Sequence, residues 1–253
     1  MNGILLLDKP SGITSHDACD EVKKILDIKK AGHAGTLDPM VTGVLVIALE
    51  DSTKALRLFS GLEKEYIGKA HVHAEYDQKK LQELIEKKFL GKIKQTPPKR
   101  SRVKREERER EIFEFKILKF EKRNFEFSVL CQAGTYIRKL IDDLGTEFGI
   151  KMHMSELRRT KQGPFSEKET IKIEDIKDSK KLSKSLLNLE KAIKRLDIKT
   201  LEVTDEQALA LKQGKFLSVD FRLDRGLGVA INKGNIIALI IEEDSKIKPE
   251  RVF

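Results

Sequence analysis

No stretch of the chain approaches the roughly 18 consecutive apolar residues of a membrane-spanning helix. The start, a strand-like Ile4-Leu5-Leu6-Leu7 followed by Asp8, is not expected to be a secretory signal. Only two cysteines occur, Cys19 and Cys131, too few for a disulfide framework or an all-cysteine zinc site, so the chain is expected to be cytoplasmic, reduced and without a membrane partner. Neither a Gly-x4-Gly-Lys loop nor a Gly-x-Gly-x-x-Gly fingerprint is present, which leaves nucleotide cofactors without a cradle. There is no internal repeat. His71 and His73 would share one face of a strand, but no carboxylate or cysteine stands near them at ligand spacing, and no metal site is expected.

What is present points to a folded, basic protein. Hydrophobic residues make up 39% of the 253-residue, 28.9 kDa chain, enough for one large domain or a catalytic domain with a small appendix. Fifty Lys and Arg outnumber 41 Asp and Glu, a formal charge of +9. The excess is uneven: between Lys92 and Arg105 there are seven basic residues and no acidic one. Such a run repels itself unless it meets an anion, and nucleic acid rewards clustered cations through counterion release. The bland alternative is a solvated loop on a Lys- and Glu-rich surface.

Along the chain, Leu5 to Leu7 reads as a short buried strand ended by the turn cluster Asp8-Lys9-Pro10-Ser11-Gly12. Ser15 is placed to cap a helix with Ala18, Val22, Ile25 and Leu26 on one face. A glycine-bearing loop, Ala31 to Pro39, leads into Val44-Leu45-Val46-Ile47-Ala48-Leu49, whose unbroken apolarity suits a strand covered on both faces. Tyr66 to His73 reads as a strand, and Leu81, Leu84, Ile85 and Phe89 mark an amphipathic helix. Pro97-Pro98 forbids a helix interior within the basic run. Phe113, Phe115 and Ile117 alternate with charged residues, as do Phe125, Phe127 and Val129, which makes a hairpin, and Ile137, Leu140, Ile141, Leu144 and Phe148 line one face of a helix. Beyond Phe165 the composition turns polar, with one helical stripe, Leu186, Leu187, Leu189, Ile193 and Leu196. Val203 to Phe253 then reads as a compact β-rich unit with a hairpin at Asn232-Lys233-Gly234-Asn235. Interleaved helices and hairpins make this an α+β fold with a mixed, largely antiparallel sheet flanked by helices. A boundary is expected between 175 and 200.

One carboxylate stands out. Asp38 follows the glycines Gly32 and Gly35 and precedes Pro39, which confines it to extended conformations. On local grounds an Asp-Pro step is more often just a turn. The surroundings add more. Lys30-Ala31-Gly32-His33-Ala34-Gly35-Thr36-Leu37-Asp38-Pro39 with Thr42-Gly43-Val44-Leu45 resembles the signature of the TruB family of pseudouridine synthases. Leu7-Asp8-Lys9-Pro10-Ser11-Gly12, Lys64-Glu65-Tyr66, Gly134-Thr135-Tyr136-Ile137-Arg138 running into Asp142-Asp143-Leu144-Gly145, and Leu157-Arg158-Arg159-Thr160 with Gly163-Pro164-Phe165 match in the same order. The likeness covers roughly residues 3 to 165, and several long motifs in register make it specific.

This resemblance implies a pseudouridine synthase fold over 1–185, a small PUA-like RNA-binding domain over 186–253, and isomerisation of a uridine in RNA. It assigns Asp38 as the essential carboxylate, Arg138 as its ion-pair partner, and Tyr66 as the residue stacked on the target base near the proton lost from C5. It makes Leu157 an apolar wall of the base pocket, Lys9 a support of the site loops, and His33 the filler of the gap left by a flipped base. Arg158 and Arg159, with Lys99, Arg100, Arg102, Lys104 and Arg105, would clamp phosphates. Neither metal nor organic cofactor is implied, and the protein is expected to be a monomer. Glu65 to His73, Gln95 to Arg105 and Met152 to Phe165 look closer to the dyskerin-type branch, whose members act in box H/ACA ribonucleoproteins with a guide RNA and small partner proteins. The short tail, Leu201 to Phe253, looks closer to stand-alone enzymes that modify the T-arm uridine of tRNA. Length and tail favour the tRNA enzyme; the guided ribonucleoprotein is the alternative. A non-catalytic RNA-binding module is the reading from another class, and it has no use for the trio Asp38, Tyr66 and Arg138.

Overall fold

The computed structural model describes residues 1–97, 104, 106–223 and 226–253. In chain order it contains β1 (Gly3–Lys9), α1 (Ser15–Leu26), β2 (Ala31–His33), β3 (Thr42–Leu49), α2 (Leu56–Ser60), β4 (Lys64–Val72), α3 (Gln78–Lys88), β5 (Gly91–Gln95), β6 (Arg108–Glu121), β7 (Asn124–Cys131), α4 (Ile137–Phe148) and β8 (Met152–Gln162). There follow β9 (Phe165–Ser166), β10 (Ile171–Lys172), α5 (Ser179–Ser185), β11 (Leu186–Leu187), α6 (Leu189–Lys194), β12 (Thr200–Glu202), α7 (Asp205–Lys212), β13 (Gly228–Asn232), β14 (Asn235–Glu243) and β15 (Lys246–Val252).

The first eleven strands make one mixed sheet with spatial order β10-β1-β3-β8-β4-β7-β6-β5, and β11, β2 and β9 pair with β1, β3 and β8. Within it β1 with β10 and β3 with β8 run parallel, and the other pairs are antiparallel. The α+β expectation is therefore met. The unbroken apolar run of β3 is explained by coverage on both sides. Leu45, Ile47 and Leu49 enter the core beneath α1, α3 and α4, while Val44, Val46 and Ala48 face a second core. β1 divides the same way, Leu5 and Leu7 on one side, Ile4 and Leu6 on the other. Gly43 is obligatory at the start of β3. Its φ is +103°, and a Cβ there would lie 2.2 Å from the Arg159 carbonyl oxygen on the parallel neighbour β8.

A second sheet, β12-β13-β14-β15, forms the C-terminal β-rich unit, and its hairpin turns at Lys233-Gly234 as expected. One expectation needs correction. The stripe Leu186 to Leu196 is not one helix, because β11 pairs with β1 and Asn188 caps a separate α6. The interval 186–196 packs on the first sheet, with Ala192, Ile193 and Leu196 in the core under Ile4 and Val44; the second sheet begins at Thr200. The C-terminal unit also holds a helix, α7, started by the capping box of Thr204 and Gln207. Val229 and Leu239 of the second sheet reach into that same core, joining the two sheets through one interior.

Candidate active site

Asp38 lies in the loop between β2 and β3, and buried groups from three directions hold that loop. On the β8 side, the Gln162 side chain, fully buried, donates to the Ala34 carbonyl and, at 2.9 Å, to that of Phe59. Arg159, only 1% exposed, donates from Nη2 to the Gly35 carbonyl at 3.0 Å and from Nε to the Val44 carbonyl at 2.7 Å. From α1, the Ser15 hydroxyl accepts from the Leu37 N–H at 2.8 Å and donates to the Leu37 carbonyl at 3.1 Å. From the end of β1, Lys9 Nζ donates to the carbonyls of Pro10, Ile13 and Pro39 at 2.8, 2.7 and 3.2 Å, and the Gly12 N–H meets Pro39 as well. Ser15 therefore grips the loop, and the helix cap expected of it belongs to Thr14, paired with Asp17 in a capping box. Gly35, at φ +127°, brings the backbone close to the side chains of Lys64, Arg159 and Gln162.

The side chain presented by this loop is half-exposed. Asp38 Oδ2 stands 3.5 Å from Nη1 of Arg138, which projects from the first turn of α4 with a similar exposure. Two elements far apart in sequence thus set a carboxylate against a guanidinium at the surface, where Coulomb attraction is screened yet both groups remain open to a solute. Tyr66 of β4 and Leu157 of β8 belong to the core that also takes Leu37, Val41 and Ile137, the residues flanking the ion pair. Tyr66 is 7% exposed, and burial holds its phenol above its ordinary pKa, so it is a neutral phenol at physiological pH. Burial also lowers the pKa of His33, with the Arg159 charge acting the same way, which keeps the imidazole uncharged; its Nδ1 is buried without a hydrogen-bond partner. Lys64, 5% exposed, is pushed down to about 8 by burial and by Arg159, and Lys9 is lowered chiefly by burial, with Asp38 pulling the other way.

Comparison with known proteins decides the family. The model of the TruB family pseudouridylate synthase N-terminal domain matches residues 23–137, and that of the tRNA pseudouridylate synthase B C-terminal domain matches 138–197. A protein named "Probable tRNA pseudouridine synthase B" from Pyrococcus horikoshii is 38% identical over 256 residues, covering 97% of this chain and 75% of its own. The chain belongs to the TruB family of pseudouridine synthases. The Methanopyrus kandleri protein of the same name is 48% identical over 179 residues, 71% of this chain and 53% of that one, so the chain spans about half the length of that relative. Among solved structures, Cbf5 in a Cbf5-Nop10-Gar1 complex superposes with a TM-score of 0.86 at 34% identity, covering 99% of this chain and 84% of that chain. An H/ACA ribonucleoprotein bound to a substrate RNA containing 2′-deoxyuridine gives 0.84 at 33%, with 99% and 84% covered.

Within this TruB-family chain the basic residues do not all stand where expected. Arg159 is interior and spends its guanidinium on loop carbonyls, so it is not a phosphate clamp. Arg158 forks onto Asp8 at 2.9 and 3.1 Å and reaches Glu167 at 2.6 Å; these hydrogen bonds, Asp8 first, raise its pKa, and two carboxylates already balance its charge. Lys9 has no exposed surface, and its ammonium is spent on the carbonyls of Pro10, Ile13 and Pro39. Lys104 is exposed and paired with Glu106, whereas Lys99, Arg100, Arg102 and Arg105 lie outside the described residues. The self-repulsion expected of the basic run is relieved at its start, where Lys92 meets Glu109 at 3.0 Å and Lys94 meets Glu107 at 3.8 Å across the β5–β6 hairpin. His71 and His73 are joined by His153, whose Nδ1 is 2.8 Å from His73 Nε2. Among the described residues no group of three side chains is arranged to hold a metal ion. Cys19 and Cys131 are buried free thiols, pushed up by burial to about 12 and about 11.

Sequence reading missed Ser15 as a loop grip, and it missed Lys64, Gln95 and Gln162. The signal for the glutamines was faint: each is a polar residue in the inward register of a strand.

Proposed function

We propose that the chain isomerises a uridine of tRNA to pseudouridine, with Asp38 as the catalytic carboxylate. The observation that carries this is the half-exposed Asp38–Arg138 pair, set on a loop whose backbone is fixed by Lys9, Ser15, Arg159 and Gln162. The reaction conserves every atom. The N1–C1′ glycosidic bond breaks, the base turns, C5 bonds to C1′, the C5 proton leaves and N1 regains one. A carboxylate beside the breaking bond serves as nucleophile, as a stabiliser of developing positive charge, or as proton acceptor. The Arg138 guanidinium, 3.5 Å from Oδ2, faces the carboxylate and directs it. The buried phenol of Tyr66 suits a stacking platform better than a base, because its raised pKa opposes ionisation at neutral pH. Leu157 supplies apolar wall, and a neutral His33 is fitted to occupy a vacated base stack.

A T-arm uridine modified by the chain alone is the primary reading, supported by relatives named for tRNA. A guided ribonucleoprotein is the second, favoured by the solved Cbf5 assemblies that superpose on almost the whole chain. The test is release of tritium from C5-labelled uridine in an unmodified tRNA transcript, first with the purified chain and then with a guide RNA and partner proteins added. Turnover by the chain alone, lost in Asp38→Asn with RNA affinity kept, is expected. Turnover only in the assembled mixture moves the protein to the guided reading, and an active Asp38→Asn refutes the catalytic assignment.

A further inference from the structure

We infer that Gln95 is a positioning residue that sets Arg138 against Asp38. The inference rests on the site reading above. Inward positions of β5 run Gly91, Ile93, Gln95, and the last of them, 3% exposed, is a polar side chain in an apolar register. A buried amide is costly unless both its ends are bonded. Both are. The Tyr136 N–H donates to Gln95 Oε1 at 3.1 Å, and Gln95 Nε2 donates to the Tyr136 carbonyl at 3.2 Å. An N–H can only donate and a carbonyl can only accept, so the order of the two amide atoms is fixed, and a carboxylate of the same shape would satisfy just one of them.

Tyr136 is the N-cap of α4, and that helix start lacks the usual supports. No side chain caps it, no acidic residue stands in its first turn, and it carries a cation, Arg138, where the helix dipole disfavours one. An arginine at that place is explained by Asp38, not by the stability of the helix. Something outside the helix must then fix its first turn, and Gln95 is the side chain that bonds the cap residue on both backbone groups. Arg138 follows Tyr136 by two residues, about 3 Å of helix rise, so displacement of the cap is delivered to the guanidinium nearly undiminished. The remaining side of the turn is fastened independently. The Gln132 N–H and the Glu111 carbonyl pair at 2.9 Å, and Thr135 closes back on the Gln132 carbonyl. Releasing Gln95 therefore loosens the cap residue, with Ile137 still held in the core, while the turn before it stays attached to β6.

The test measures single-turnover rate at saturating RNA, RNA affinity and cooperative unfolding for Gln95→Ala and Gln95→Glu, each alone and with Arg138→Lys. The assay mixture is whichever of the two compositions above gives turnover. Both variants are expected to fold, to bind RNA within about two-fold of the parent, and to turn over about 10- to 100-fold more slowly. With Arg138→Lys present, the further loss should shrink to about two-fold or less, because the residue acts through that guanidinium. Parental rates in a folded variant overturn the inference, as do losses that simply multiply with that of Arg138→Lys. If neither variant folds, Gln95 is a folding residue and the inference ends there. Asp38→Asn separates the two levels: an active Asp38→Asn, or no turnover in either mixture, defeats the site reading itself. A dead Asp38→Asn beside parental Gln95 variants defeats only the role of Gln95.

Discussion

Replacing Lys64 by Met should remove a specific piece of the protein's alkaline pH dependence. Lys64 is 5% exposed, donates to the carbonyls of Ser60 and Leu62, and titrates near 8 in the fold against 10.5 outside it. Below pH 8 the ammonium is charged in both states, and the folded state bears the full cost of burying it. Between pH 8 and 10.5 the folded protein loses the proton first, so the burden is relieved and stability rises with pH, by roughly 3 kcal/mol once complete. The two thiols act in the opposite sense. Unfolded cysteines ionise near 9, while Cys131 and Cys19 in the fold hold their protons to about 11 and about 12, so each withdraws stability above pH 9. Subtracting the Lys64→Met profile from the parent cancels Cys19, and leaves of Cys131 only the part set by the Lys64 charge, which lowers that thiol in the parent. Urea unfolding from pH 7 to 10.5 should show the stability of Lys64→Met relative to the parent falling by roughly 3 kcal/mol across that range. The offset at pH 7 also contains the two carbonyls left unpaired and is not diagnostic. A difference flat from pH 7.5 to 10 would mean that Lys64 is not an interior cation, and the account of its burial beside Gly35 would fail with it.

Two further substitutions probe the loop and its neighbour. Ser15→Ala strips the Leu37 N–H and carbonyl of their shared partner in a buried setting, and about 2–4 kcal/mol of stability should be lost; denaturant midpoints check this, and a loss under 1 kcal/mol would mean that the loop does not need the hydroxyl. Gly43→Ala combines a positive φ with a Cβ 2.2 Å from the Arg159 carbonyl oxygen, so it should cost about 4 kcal/mol or more by breaking the parallel β3–β8 contact; a folded variant with unchanged thermal midpoint would contradict the placement of β8.

Where the chain's periodicity matches one environment, the fold was legible. β3 reads as a both-faces strand because Val44 to Leu49 are all apolar, and the β6–β7 and β13–β14 hairpins follow from alternation broken by a short polar turn. β8 was not legible. Register shifts at Glu65/Tyr66 and Lys69/Ala70 in its pairing with β4 break the two-residue alternation, so sequence cannot say which of Arg158 and Arg159 points inward. α7 was announced by Thr204 and Gln207 but obscured by the β-rich stretch that follows it. The Asp38–Arg138 pairing came from family motifs, since nothing in the spacing of the two residues brings them together. Ser15 looked like a cap because the same residue types serve helix ends and loop grips, and only the three-dimensional path of the chain distinguishes them.

The grip on the loop at Ala34, Gly35, Leu37 and Pro39 has a kinetic meaning. A carboxylate on a free loop would give up about 1–2 kcal/mol for each backbone residue ordered whenever a substrate arrived. Here that disorder is surrendered once, when the chain folds, and the loss is shared with the burial of Lys9, Arg159 and Gln162. On the proposed function, each RNA would meet a carboxylate already in place, and its binding free energy would be left for unstacking and turning the base.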